Sequence, residues 1–211
     1  MRLLFPLLLA LLHFTQEVVA QQLRWGIEYG IGHSSLNYVD PGLDLGRETE
    51  RFVFNAGVFT EKDVSKSISA QLGFRYSLYG NDIRVEFFGN TPYPGFIQKR
   101  LHHLSLPTRI RYRPFHTPFY VLAGYQIGYI ILLETNDLIP GGIDPSYWRL
   151  RYIDFIDRYN VSFTAGFGYR KKVDDQTVIF QALYDRGIGS LGKWKSEWKV
   201  QGILIQTGFV F

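Results

Sequence analysis

The stretch that decides the fold is residues 201–211, which read Q-G-I-L-I-Q-T-G-F-V-F. One alternate set of its side chains includes Ile203, Ile205 and Phe209, whereas the other includes Gly202 and Gln206. Successive side chains of a β-strand point to opposite faces, so this period of two predicts an amphipathic strand. Whether the strand belongs to a larger sheet depends on how often the pattern recurs.

Seven earlier segments alternate in the same way, which gives eight predicted strands. The earlier segments are residues 23–32, 51–59, 67–79, 103–113, 119–133, 158–170 and 177–185. The connections alternate between short ones, at residues 60–66, 114–118 and 171–176, and long ones, at residues 33–50, 80–100, 134–157 and 186–199. Short periplasmic turns and long external loops are typical of outer-membrane barrels, and with eight strands both termini are expected to be periplasmic.

The chemistry of the two stripes indicates which face points outward. The chain is 17% aromatic with 21 glycines, and its apolar stripes carry residues such as Trp25, Tyr112 and Tyr159 near the strand ends. Aromatic girdles of this kind mark the two interfaces of a membrane. The opposite stripes carry Gly and small uncharged residues, which suit the narrow interior of an eight-stranded barrel. We therefore predict an all-β fold, an eight-stranded antiparallel up-and-down transmembrane β-barrel.

The last strand is expected to close this barrel by pairing with residues 23–32. Its outward set should be Ile203, Ile205, Phe209 and Phe211. An amphipathic closing strand that ends in Phe is typical of the signal that bacterial outer-membrane barrels present to the barrel-assembly machinery. We assign that signal to Phe209 and Phe211, and the machinery is an expected partner.

The first 20 residues predict a secretory signal peptide. Arg2 gives a positive start, residues 3–12 are almost purely apolar, and Ala20 is the expected cleavage position. The apolar run is about half of the roughly 20 residues that a spanning helix needs. The predicted division is residues 1–20 as signal peptide and residues 21–211 as a single outer-membrane β-barrel domain. The chain has no cysteine, which excludes thiol catalysis, and its net charge of +4 is dispersed and indicates no nucleic-acid patch.

Several charged residues fall on the inward stripes. They are Arg24, Glu28, Arg75, Arg109, Arg111 and Asp185. Buried charges in a narrow lumen must be paired and hydrogen-bonded, which favours an internal ion-pair network that fills the barrel. A basic constriction that selects anions is the alternative, although eight strands leave little room for a solute.

Aromatic and basic residues also alternate in the long connections. The candidates for external contacts are Trp148, Arg149, Arg151, Trp194, Lys195 and Trp198. This mixture fits contacts with anionic outer-membrane lipid, including lipopolysaccharide, or strand extension above the membrane. A protein-binding surface uses the same residue types, so other envelope proteins are possible partners.

The chain offers little evidence of catalysis or of a cofactor. His33 and Ser34 at the start of the first long connection, with His102 and His103 before the fourth strand, make a His–Ser pair at the outer rim conceivable. No nucleophile motif surrounds Ser34, and adjacent His102 and His103 should face opposite sides of a strand. The scattered Asp137, Asp144, Asp154 and Asp157 lack a calcium-loop pattern. We predict no enzyme activity, no metal and no cofactor.

Three segments carry a family resemblance: residues 103–113 (H-L-S-L-P-T-R-I-R-Y-R), 118–128 (P-F-Y-V-L-A-G-Y-Q-I-G) and 181–189 (Q-A-L-Y-D-R-G-I-G). They resemble the PorT-like outer-membrane β-barrel family of Bacteroidota, a porin-family type of barrel domain. Ser105 and Ser190 depart from that family's usual residues. The motifs are structural, and Pro107 within a strand predicts a bulge or a locally broken ladder. The resemblance implies an outer-membrane barrel, with some members assisting a secretion system.

These observations lead to a functional expectation. We expect a structural or interaction barrel in the bacterial outer membrane, as an accessory of an envelope or protein-secretion complex. A small porin-like channel is the first alternative. A lipid A-modifying enzyme sited at the outer rim is the second.

Overall fold

The computed structural model is a closed barrel of eight antiparallel strands in sequential order. It describes residues 23–39, 48–88, 91–114, 117–138, 158–188 and 197–211. The strands are β1 (Arg24–Val39), β2 (Glu48–Asp63), β3 (Ile68–Phe88), β4 (Thr91–Tyr112), β5 (Phe119–Leu138), β6 (Tyr159–Val173), β7 (Gln176–Gly187) and β8 (Glu197–Val210). The predicted fold class is confirmed. A search of the described segments for a helix with the length and hydropathy of a membrane span finds none. The predicted signal peptide lies outside the described residues.

The barrel closes through β1 and β8, as predicted. Their antiparallel register runs from the Gly26–Val210 pair to the Val39–Glu197 pair. Paired residues can be followed from Trp25 once round the eight strands back to β1. The path passes through Thr60, Leu72, Thr108, Tyr125, Phe163, Arg186, Gln201 and Ser35. It returns ten residues further along β1 (35 minus 25), which is the shear of the barrel. Strands of such a barrel tilt by about 40° and leave an interior that side chains can fill.

Burial alternates along the strands, where their side chains are described, in the sense that the sequence predicts; the alternation breaks in β5, where Ile131 and Leu132 are both exposed beside a register shift with β4. On β8, Ile203 and Ile205 are exposed on the outer surface and Phe209 is half-buried on the same face; Phe211, just after the strand, is also exposed. Gln206 and Val210, on the opposite face, are buried inside the barrel. The outer surface is therefore an apolar band, which in water would be a large exposed patch and in a bilayer is matched to lipid.

Aromatic side chains border this band at both ends. Phe119 and Tyr169 meet edge to face, with ring centroids 5.2 Å apart, near the short turns. Tyr129 and Tyr159 meet in the same way at 5.4 Å towards the other end. These amphipathic rings occupy the positions expected at the two membrane interfaces.

Several predicted connections are shorter than expected because the strands continue beyond the apolar band. Residues 80–100 are not a long loop: β3 runs to Phe88 and β4 begins at Thr91. At the other rim, the predicted turn at residues 60–66 is wrong in its first half, since β2 continues to Asp63. Between β6 and β7 only two residues turn, and Asp174 adopts a left-handed conformation with φ of 53°, which Asp tolerates better than most residues.

Pro107 interrupts the ladder between β3 and β4. Cα pairs occur at Leu72–Thr108 and at Arg75–Ser105, whereas Gly73 and Phe74 between them have no paired residue on β4. Proline has no N–H to donate, so the ladder is locally broken without a change of register. This confirms the second of the two outcomes predicted from the sequence, and no bulge forms at this point.

The closure can be tested with an engineered disulfide, because the natural chain contains no cysteine. Ile31 and Ile205 lie directly opposite each other on the outer faces of β1 and β8. Oxidation of the I31C/I205C variant should therefore give one cross-linked band on a denaturing gel without reductant. The I31C/F209C pair is the control, since Phe209 is opposite Ile27. Equal cross-linking of both pairs would contradict the register.

Candidate functional site

The interior of the barrel is the part of the chain in which ionisable side chains converge. Of the six charges predicted there, five have buried side chains, and Arg24 is 27% exposed at the rim with the short turns. The structure does not join the six into one cluster. It divides them among three groups, stacked along the barrel axis.

The first group lies near the short turns and is centred on Glu61, which is fully buried. Its carboxylate accepts hydrogen bonds from Arg24 Nη2 at 2.8 Å, from Arg170 Nη1 at 2.9 Å and from Arg111 Nη1. The guanidinium of Arg111 also lies over the Tyr120 ring, 5.2 Å from its centroid. We call Glu61 and these three arginines the Glu61 cluster. It joins β1, β2, β4 and β6 across the lumen.

Glu61 was not among the predicted lumen residues, although the sequence contains the signal that identifies it. The predicted second strand ends at Phe59, which puts Glu61 in the predicted turn at residues 60–66. The inward stripe of Val53, Asn55 and Gly57 continues with unbroken period two through Phe59 to Glu61. The period-two pattern therefore indicates that Glu61, two residues beyond the inward Phe59, also points into the lumen.

The second group lies one layer further into the barrel. Arg109 Nη1 donates to both carboxylate oxygens of Glu28, at 3.2 and 2.9 Å. Beside this pair, the Gln181 amide donates to Gln206 at 2.7 Å, and the Gln206 amide donates to Asn55 at 2.7 Å. These amides fill the space between the ion pair and the wall and use each other's hydrogen-bonding groups.

Gly30 explains how Gln206 reaches Asn55 across β1. A Cβ atom at Gly30 would collide with the side chain of Gln206 and with a carbonyl oxygen of β8. Glycine is therefore required here for the close approach of a side chain rather than for an unusual backbone angle.

The third group is centred on Arg75, on β3. Arg75 Nη2 donates to Asp185 at 3.2 Å on the opposite wall and also to Gln126 Oε1. Thr164 Oγ1 donates to the other Asp185 oxygen at 2.5 Å, and Gln126 Nε2 donates to Ser162 at 2.8 Å. Arg75 and Asp185 are both almost fully buried, so this layer fills the lumen from wall to wall.

A histidine lies beyond the third group, towards the long connections. His103 is fully buried, with its ring 5.9 Å from that of Tyr79, and neither ring nitrogen has a hydrogen-bond partner among the described residues. The ring occupies the space over Gly128, where a Cβ would overlap it. Further along the axis the interior becomes apolar, with Leu101 and Leu133 buried.

The predicted histidine candidates do not meet at the outer rim. β1 continues to Val39, so His33 lies within a strand and is exposed on the outer face. Ser34 points the other way, where its hydroxyl donates to the carbonyl of Gly80 at 3.0 Å. The wall of the barrel therefore separates His33 from Ser34.

His102 and His103 also lie inside a strand, because β4 begins at Thr91. They face opposite sides, as expected: His102 is on the outer face, where its Nδ1 is 2.7 Å from the Tyr76 hydroxyl. Among the described residues, no three His, Asp or Glu side chains come together in a way that could hold a metal ion.

Of the six predicted external-contact residues, only Trp198 lies in the part of the chain that the structure describes. Trp148, Arg149, Arg151, Trp194 and Lys195 lie outside the described residues, as do Asp144, Asp154 and Asp157. Trp198 belongs to β8, where its backbone pairs with Tyr38 of β1. The role of these residues in external contacts remains a prediction.

A closed eight-stranded barrel with an apolar outer band and a polar, ion-paired interior defines a transmembrane β-barrel. Comparison with family models agrees with this class: residues 19–192 match the model described as outer membrane protein beta-barrel domain. The chain belongs to this family, whose members reside in the bacterial outer membrane.

Solved structures of small outer-membrane proteins resemble the chain at low identity. Neisserial surface protein A is 8% identical, with a TM-score of 0.48 over 87% of this chain and 95% of that one. OprG from Pseudomonas aeruginosa is 10% identical, with a TM-score of 0.48 over 90% and 97%. Ail of Yersinia pestis, in complex with a heparin analogue, is 14% identical, with a TM-score of 0.46 over 90% and 99%. No protein of curated function matches the sequence.

Substitution of Glu61 by Gln tests the importance of the Glu61 cluster for stability. The change leaves three guanidinium groups without their shared carboxylate, and removing one partner of a buried ion pair costs about 3–5 kcal/mol. Asp63→Asn is the matched control, since Asp63 also pairs with Arg24, at 2.8 Å, but its side chain is 41% exposed; its loss should cost less than about 1 kcal/mol. Urea unfolding of the refolded barrel in micelles measures both. Similar losses for the two variants would contradict a central role for Glu61.

The contact between His103 and Gly128 predicts a rescue. Gly128→Ala alone should destabilise the barrel by about 1–3 kcal/mol, because the added methyl overlaps the imidazole. In the His103→Ala background the same change should have little effect, since the ring is gone. Unfolding of the four chains of this double-mutant cycle measures the coupling. Equal effects of Gly128→Ala in both backgrounds would show that the ring does not occupy this space.

Proposed function

We propose that this chain is a non-conducting outer-membrane barrel with a structural or interaction role, acting as an accessory of an envelope or protein-secretion complex. The observation that carries the proposal is the filled lumen. Three layers of paired side chains cross it, and the charges of Glu61, Arg75 and Arg109 within them are almost completely shielded from solvent. A barrel without a water path acts through its rims and outer surface.

The proposed orientation places both termini of the barrel, at the start of β1 and the end of β8, in the periplasm. The short connections, such as the one between β6 and β7, lie at the same rim as the start of β1 and the end of β8. Short periplasmic turns are typical of bacterial outer-membrane barrels. The long connections and the extended β3–β4 hairpin then face outward, where they are available to lipopolysaccharide and to other envelope proteins. The resemblance of residues 103–113 to the PorT-like family supports an accessory role in secretion.

A small anion-selective pore is the second candidate, and one observation favours it. Among the charged side chains that the structure describes as buried in the lumen, arginines outnumber carboxylates by four to three. The arginines are Arg75, Arg109, Arg111 and Arg170, and the carboxylates are Glu28, Glu61 and Asp185. A positive lumen favours anions. The layers are nevertheless bridged from wall to wall, so we rank this function second.

A lipid A-modifying enzyme ranks third. His33 points away from Ser34, and the inward-facing His103 forms no hydrogen bond with Ser34, whose hydroxyl donates to Gly80. A catalytic base must lie within hydrogen-bonding reach of its nucleophile. We therefore propose that the chain is not an enzyme and needs no cofactor.

Planar-bilayer recording tests the proposal against the pore. The folded wild-type barrel should give no stable single-channel steps, because no continuous water path crosses the ion-pair layers. The E28S/R109S variant removes one buried pair without changing the net charge, and it should show small steps or a raised baseline current. Stable steps from the wild-type barrel would overturn the non-conducting assignment. Isolation of the tagged full chain from native membranes tests the accessory role: a barrel that is always recovered alone contradicts it.

A further inference from the structure

One region of the outer surface combines an exposed cation with the edge of the lipid-facing band. Arg186 projects outward from β7 and is exposed. It lies directly opposite Gln201 of β8, and Gln201 lies opposite Ser35 of β1. His33, two residues below Ser35, is exposed on the same outer face. We call Arg186, Gln201 and His33 the β7–β1 patch; it spans about 10 Å, since neighbouring strands are about 4.8 Å apart.

The position of the patch along the strands is that of a membrane interface. Three outward side chains lie closer to the short turns than the patch does, and all three are exposed. They are Tyr184 on β7 and Ile203 and Ile205 on β8. These side chains belong to the apolar band, so Arg186 and His33 lie near its edge, with Ile188 exposed beyond Arg186 just after the end of β7. Lys199 lies one outward position beyond Gln201 on β8, but it has an interaction of its own and is not part of the patch.

The charge of Arg186 is not compensated from within the described residues. No ion pair is formed by Arg186 there, and the side chains that are described on the outward faces of β1, β7 and β8 include no carboxylate. Gln201 lies opposite Arg186 and is held by its own hydrogen bond, with Nε2 donating to Ser35 Oγ at 3.0 Å. An arginine fork beside imidazole and amide groups suits a phosphate group, which accepts several hydrogen bonds at once.

We propose that the β7–β1 patch binds a phosphorylated headgroup of an outer-leaflet glycolipid of the lipid A type, whose acyl chains lie along Ile203 and Ile205. The continuity between the cationic patch and the apolar strip selects a lipid over a free anion, because one molecule satisfies both surfaces. The inference rests on the proposed orientation, with the long connections outside. It deepens the proposed function by naming a partner and the residues that hold it.

Native mass spectrometry of the full folded chain in detergent tests the proposal, with bis-phosphorylated lipid A and its dephosphorylated form as probes. The wild-type barrel should retain phosphorylated lipid A and little of the dephosphorylated lipid. The R186Q/H33Q variant should bind it about fivefold more weakly, as the loss of one interfacial cation predicts. The control is Lys171→Gln, which removes an exposed cation from the outer face at the opposite rim and should leave binding unchanged.

Four results would overturn the proposal: equal retention of both lipids, unchanged binding by R186Q/H33Q, an equal loss in the Lys171 control, or displacement of the lipid by millimolar inorganic phosphate. Heat-dependent gel mobility checks that each variant is folded. If R186Q/H33Q does not fold, Gln201→Ala tests the same patch without a change of charge. Lipid retention is independent of conductance, so failure of this inference and failure of the non-conducting assignment are separately observed.

Discussion

The pairing of buried charges across a narrow lumen is the constraint on which this barrel depends. Glu61 on β2 binds arginines from β1, β4 and β6, while Arg75 on β3 meets Asp185 on β7. Arg24 and Glu61 are directly opposite on adjacent strands, whereas Arg111, Arg170 and the Arg75–Asp185 pair join strands that meet only across the lumen of the closed barrel. An open sheet would leave those other charges without their partners, and an unpaired ion buried in a low-dielectric interior costs several kcal/mol. The network therefore links closure of the sheet to satisfaction of its charges.

The shear of the barrel determines which side chains share a layer. The register advances ten residues along β1 in one circuit of the eight strands, so the strands are tilted relative to the barrel axis. Side chains from strands that are not paired with each other therefore lie at the same level along that axis. Glu28 of β1 thus reaches Arg109 of β4 across the lumen, although β2 and β3 separate the two strands in the wall. Inward glycines leave space for long side chains: a Cβ at Gly30 would meet the Gln206 side chain, and one at Gly128 would meet the His103 ring. The glycine-rich inward stripes and the long inward side chains are complementary features of one interior.

The period-two pattern was sufficient to predict the number of strands, their order and the face that points to lipid. The pattern did not predict the strand ends at which the two faces carry side chains of similar polarity. Residues 80–100 extend β3 and β4 beyond the membrane band, and outside a bilayer both faces of a hairpin can be polar or apolar, so the amphipathic signal disappears. Glu61 was missed for a related reason: charged residues near a strand end resemble a turn. The ion pairs that cross the lumen depend on the shear of the closed barrel. The alternation pattern of a single strand carries no information about the shear, so these pairs could not be predicted from it.

The filled interior also limits where evolution could place an activity on this chain. The buried charges Glu61, Arg75 and Glu28 have their partners on other strands, so a change that opens a solute path through these layers removes a partner from a buried charge. The outer surface has no such coupling: Arg186, His33 and Lys171 can change without leaving a charge buried inside the barrel. Stability and recognition are thus carried by opposite faces of the same strands. A barrel built in this way can diversify its contacts with lipid and protein while its interior remains fixed.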